Sequence, residues 1–111
     1  MTRISKIAFF AAKHGEEAAL GEQLLALVGP SRAEPGSMRY EILQDSNDDG
    51  LWTVLEDWRS EADFDFHMAT DYVRAFMQLV PSLCDSEPDI RTYSKRSTSD
   101  FRTFPGEHHA D

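Results

Sequence analysis

Apolar residues recur along this chain with two periods, and each change of period marks a new element. Ile4 to Ala11 is short and rich in Ile and Phe, which predicts a strand. Ile7 and Phe9 share one of its faces, and Ile4, Lys6, Ala8 and Phe10 share the other. From Glu16 to Val28 the period lengthens. Leu20, Leu24, Leu27 and Val28 fall at the i, i+4, i+7, i+8 positions of a buried helical stripe. Gly29-Pro30 should end or kink that helix, with a further turn over Ser31 to Ala33, before the Glu34-Pro35-Gly36 break.

Alternation then returns. Over Ser37 to Gln44, Met38, Tyr40 and Ile42 point one way, and Arg39, Glu41 and Leu43 the other. Over Leu51 to Trp58, Trp52, Val54, Glu56 and Trp58 share a face opposite Leu51, Thr53, Leu55 and Asp57. The polar stretch Asp45 to Gly50 between them reads as the turn of an antiparallel hairpin. Ser60 is a natural N-cap for a short helix carrying Phe64, His67 and Met68. Thr70-Asp71 opens a further helix with Tyr72, Val73, Phe76, Met77, Leu79 and Val80, which Pro81 should stop or bend. Ser82 to Pro88, with Cys84, reads as a loop, and Asp89 to Arg96 as a last strand.

The order is β-α-β-β-α-β, the split βαβ unit of the ferredoxin-like α+β class, with one antiparallel sheet and helices on one of its faces. It predicts a single domain over residues 1–96, followed by a polar tail or dimer arm over 97–111. The second sheet face would carry Leu43, Leu51 and Leu55, so a homodimer that pairs two such faces is expected.

Composition narrows the function. A net charge of −9, from 20 acidic and 11 basic residues with no basic run, speaks against nucleic acid and against an anionic membrane surface. No apolar run approaches a membrane span or a signal segment, and the one cysteine, Cys84, excludes an internal disulfide. A cytoplasmic protein is the expectation.

Asp45, Asn47, Asp49, Gly50 and Glu56 fit the spacing of an EF-hand calcium loop in full. Strand-like flanks in place of helices favour a water-facing hairpin turn. No cysteine or histidine spacing suggests zinc, and no glycine-rich loop suggests a phosphate site. His67 lies on a partly apolar helix, where it serves either as a packed core residue or as a general base near neutral pH. Glu56, between Val54 and Trp58 on a covered face, needs either an ion pair with Arg39 or Arg74, or a role as polar anchor in an apolar pocket. Tyr40 and Tyr72 are candidate hydrogen-bond donors to a phenolic oxygen, and Trp52 and Trp58 are core residues or stacking platforms.

From about Ile4 to Ser94 the chain resembles the antibiotic biosynthesis monooxygenase (ABM) superfamily of dimeric α+β barrels. The residues that carry the resemblance are Arg32-Ala33-Glu34-Pro35-Gly36, Met38-Arg39-Tyr40, Glu56-Asp57-Trp58, His67 with Thr70 to Phe76, and Ile90 to Tyr93. The resemblance implies a monooxygenase without metal or cofactor, acting on a small aromatic quinol or anthrone with O2. The site would lie in an apolar cavity between sheet and helices. His67 would be the base, Trp58 would hold the ring, and Tyr72 and Glu56 would donate and accept hydrogen bonds. Tyr40, Arg39 and Phe76 would complete the substrate site. A haem-degrading branch is disfavoured, since the first strand has no Asn and Phe76 stands near the expected haem ligand. Arg39 and Arg74 keep an isomerase of small phosphorylated sugars in view, and a non-catalytic binding module has the same fold.

Overall fold

The computed structural model describes residues 2–97. Four strands form one antiparallel sheet: β1 (Ile4–Ala11), β2 (Ser37–Gln44), β3 (Leu51–Trp58) and β4 (Asp89–Tyr93), in the spatial order β2-β3-β1-β4. The intervening helices are α1 (Glu17–Ala26), α2 (Val28–Arg32), α3 (Glu61–Met68) and α4 (Asp71–Leu83). This is the ferredoxin-like arrangement, and the register sorts the side chains as the alternation requires. Ala8 faces Val54, Lys6 faces Glu56 and Ile4 faces Trp58 across β1 and β3. These groups line the helix side, where Leu20, Leu24 and Trp58 are fully buried. The other side carries Ile7, Phe9, Leu43, Leu51 and Leu55, with Phe9 39%, Leu43 44% and Leu51 42% exposed. On a lone subunit this is an open apolar sheet face.

Three local details differ from the periodic reading, and one follows it. The pairing of β2 with β3 shifts between Ser37 and Arg39, which bulges Met38 out to 50% exposure while Tyr40 stays buried. As Gly29-Pro30 implies, α1 ends at Ala26 and a further short helix, α2, follows; Pro30 occupies its first turn, where its missing N–H has no helical partner to lose. Pro81 likewise sits within α4, whose last turn is held by the burial of Leu83 and Cys84 and by the Cys84 N–H on the Val80 carbonyl at 2.8 Å. Cys84 is therefore a buried residue at the helix end, bridged to Ala12, and not part of a surface loop. β4 ends at Tyr93, three residues before Arg96.

The hairpin turn is closed by its own side chains. Asp45 Oδ1 accepts from the Asn47 and Asp48 N–H groups at 2.8 and 3.1 Å, and Asp48 Oδ1 accepts from Gly50 N–H at 3.0 Å. Strands flank it on both sides, and Glu56 faces the core, so this is not an EF-hand loop. No described helix is long and apolar enough to cross a membrane. Residues 98–111, nearly all of the predicted tail, lie outside the described residues.

Candidate active site

Ser60 begins the construction of the site. Its hydroxyl accepts from Asp63 N–H at 3.3 Å and sets the start of α3. Phe64 and His67, three residues apart, then fall on the buried face of that helix. Gly36 permits the close approach of the chain before β2, because a side chain there would overlap Asp63. Its carbonyl accepts from Arg59 N–H at 2.9 Å. The turn so formed brings Glu34, at the end of α2, against α3 from beneath.

Glu34 and His67 meet inside the protein, both almost fully buried. His67 Nδ1 is 2.8 Å from Glu34 Oε2. The hydroxyl of Tyr72, from the first turn of α4, donates to the same oxygen through a short hydrogen bond. With Nδ1 2.8 Å from a carboxylate oxygen, the imidazole is held in one orientation. Aromatic rings wrap it. Trp58 lies 4.7 Å away centroid to centroid, Tyr40 5.5 Å and Phe64 6.3 Å.

On the sheet side Glu56 Oε1 accepts from Trp58 Nε1 at 2.8 Å. Burial pushes the Glu56 carboxyl up to about 7, against the opposing pull of that hydrogen bond and of Lys6. Lys6, itself buried, reaches Thr92 Oγ1 at 2.6 Å and Glu61 Oε2 at 3.1 Å, and lies 4.3 Å over the Phe64 ring. Burial first, and then the charge of Glu56, raise the Tyr40 phenol far above its ordinary range. Glu34 Oε1 and the nearby Ser31 Oγ are buried with no hydrogen-bond partner among the described residues. The Ser31 hydroxyl is close enough to Tyr40 to offset a little of that rise, without hydrogen-bond geometry.

His67, Glu56, Tyr40 and Phe76 come together around an apolar cavity of about 30 Å³, enough for a water molecule but not for an aromatic ring. Met68, Met77 and Ile90 are among its other walls. Two candidates stand behind this space: Trp58 packs fully buried against His67, and Tyr72 points to Glu34. Arg39 lies on the other sheet face, 44% exposed and paired with Glu41 at 2.9 Å, so it neither joins the cluster nor neutralises Glu56. Glu56 is bonded by Trp58 and opposed by Lys6, in place of the expected Arg39 or Arg74.

The profile of the family "Antibiotic biosynthesis monooxygenase" matches residues 3–79. The chain belongs to the ABM family. Among solved structures, PA3566 of Pseudomonas aeruginosa is 32% identical, with a TM-score of 0.82 over 87% of this chain and 97% of its own. SO0527 of Shewanella oneidensis is also 32% identical, with a TM-score of 0.79 over 83% and 89%. The uncharacterised protein sll1783 of Synechocystis is 32% identical over 81 residues, 69% of this chain. That match spans 55% of the cyanobacterial protein, so this chain corresponds to about half of it.

The ABM membership explains the fold. The Glu34–His67 pair comes from the coordinates alone. In the sequence Glu34 stands inside a backbone break and within a stretch that carries the family resemblance, but nothing there pairs it with His67.

Proposed function

We propose that this protein is a cofactor-independent monooxygenase that oxidises a small electron-rich phenol, of the quinol or anthrone kind, with O2. The reading rests on one observation above the others. A buried imidazole that lines an apolar cavity has its Nδ1 2.8 Å from a buried carboxylate oxygen. His67 Nε2 takes the phenolic proton of the substrate. The resulting anion supplies electrons to O2. One oxygen atom enters the substrate and the other leaves as water, with the substrate as the source of all the electrons. Exclusion of bulk water keeps the anion and the oxygenated intermediate from side reactions. Tyr40, Glu56 and Phe76 shape the substrate space, with Trp58 bracing His67 and Glu56 from behind.

The cavity is too small for a ring, so binding displaces wall side chains. Met68 and Met77 are unbranched and adaptable, and Ile90 sits on the exposed edge strand β4, which makes this wall the entrance. The subunit works as a homodimer in this proposal, with the open face of Ile7, Phe9, Leu43, Leu51 and Leu55 paired against its copy.

The decisive experiment is oxygen consumption by purified protein, with chelator present, against a panel of quinols and anthrones. Uptake above autoxidation, lost in His67→Ala with folding intact, supports the assignment. Unchanged turnover in that variant removes His67 from the mechanism. Ligand binding without uptake would favour a binding module.

One observation favours a second reading. Glu56, pushed up to about 7, is a proton donor on the same cavity as a proton acceptor. Such a pair suits keto–enol isomerisation of a small carbonyl compound. Deuterium incorporation into substrate in the absence of O2 distinguishes the two.

A further inference from the structure

Glu34 carries both of its side-chain hydrogen bonds on one oxygen. Oε2 meets His67 Nδ1 at 2.8 Å and the Tyr72 hydroxyl, while Oε1 has no partner among the described residues. Tyr72 has a second acceptor, the Pro30 carbonyl at 3.3 Å, in an exposed setting. The Tyr72 side chain is only half-buried, and it does not line the cavity. A single line of polar atoms thus runs from the cavity face of His67, through its ring, to Glu34 Oε2, to the Tyr72 oxygen at the surface. Four ionisable groups face Glu34: His67 from α3, Tyr72 from α4, Tyr40 from β2 and Glu56 from β3. Of these, only His67 and Tyr72 bond to it.

We propose that Glu34 and Tyr72 form a proton relay that connects buried His67 with solvent. The relay rests on His67 acting as the base of the reaction proposed above, and both residues act through it. In the outward step, Nε2 accepts the phenolic proton and Nδ1 releases its own to Glu34 Oε2. Glu34 passes a proton to the Tyr72 oxygen as the phenolic proton of Tyr72 leaves to water. The imidazole is then neutral, with its proton on Nε2. In the inward step, Nε2–H goes to the oxygen that departs as water, while Nδ1 regains a proton along the same line. Protons balance over the cycle, and the original tautomer is restored.

Two features make the path workable. Arrival and departure use the same carboxylate oxygen, so the carboxyl group need not rotate. The two acceptors of Tyr72 allow its hydroxyl hydrogen to turn from Glu34 to Pro30, which frees a lone pair for the incoming proton. Burial, and then the bond and charge of Glu34, push the Tyr72 phenol up to about 12, so it exchanges protons in concert and does not rest as a phenolate.

The test is the rate at which the His67 Nδ1 proton exchanges with water. It is measured by NMR on the full chain, with 15N in its histidine rings and no substrate. In Tyr72→Phe the relay predicts exchange slowed about tenfold or more, the cost of losing the exit. A purely structural role for Tyr72 predicts faster exchange, because a loosened site admits water. Unchanged or faster exchange overturns the relay. Should Tyr72→Phe fail to fold, 3-fluorotyrosine incorporated at Tyr72 keeps the shape with a more acidic hydroxyl; exchange must then speed up, and an unaltered rate refutes the proposal. Turnover is a separate readout, with a reduced kcat at constant KM expected for Tyr72→Phe. Slowed exchange in a protein that consumes no O2 would uphold the relay while removing the monooxygenase reading.

Discussion

Replacing Glu56 with Gln should make the protein less sensitive to rising pH. The side chain is 6% exposed, and burial raises its carboxyl from an ordinary 4.5 to about 7. A raised acid favours the protonated form in the folded state. Its contribution to stability is therefore complete below pH 4.5 and is lost as pH climbs through 7. At about 1.36 kcal/mol per decade of acidity, the whole effect is about 3 kcal/mol, and about 2.5 kcal/mol of it falls between pH 5 and pH 8. Gln keeps the shape and can still accept from Trp58 Nε1, but it does not titrate. Urea unfolding followed by tryptophan fluorescence, at one protein concentration and at pH 5 and pH 8, provides the assay. The stability difference between wild type and Glu56→Gln should move by about 2 kcal/mol in favour of the variant over that range. A difference that stays flat within about 0.5 kcal/mol would show that Glu56 is ionised at little cost in the folded state, which the burial argument does not allow.

Three further outcomes can be checked simply. Gly21→Ala would drive a methyl group into the Trp52 indole and should cost about 1–3 kcal/mol, read as a lowered urea midpoint. Ser60→Ala removes the α3 cap and should cost about 1 kcal/mol by the same measurement. Leu55→Glu places a charge in the middle of the open sheet face. Light scattering after size exclusion should show a dimeric wild type and a monomeric variant, and an unaltered mass would remove that face from any subunit contact.

Strand alternation and the stripe Leu20, Leu24, Leu27 made the element order readable in the sequence, since each is a local period that one buried face imposes. The same logic placed Glu56 and Trp58 on a common face, two residues apart, where their hydrogen bond forms. What local pattern does not carry is contact at long range. Glu34 and His67 are 33 positions apart, and no spacing rule pairs them. Tyr72 lay on the correct helix, yet its contact with Pro30 and Glu34 follows from where the tertiary fold sets the start of α4, which periodicity leaves open. Prolines were read with mixed success. The break signalled by Gly29-Pro30 is there, since α1 ends at Ala26 and a short helix follows, whereas buried neighbours hold the last turn of α4 beyond Pro81. Met38 breaks the alternation it seemed to obey because one bulged residue shifts the phase.

That bulge has a consequence for how the protein behaves in a crowded solution. β2 is an edge of the sheet, with one side of its backbone unpaired within the subunit, and such an edge invites another chain to add a strand. At Met38 the strand loses its regular spacing, and the next exposed positions hold the Arg39–Glu41 ion pair. An incoming strand would meet an irregular ladder and two charges to desolvate. Straightening this edge, by removing the bulged residue and replacing both charged side chains with β-branched apolar ones, should yield a protein that forms fibrils.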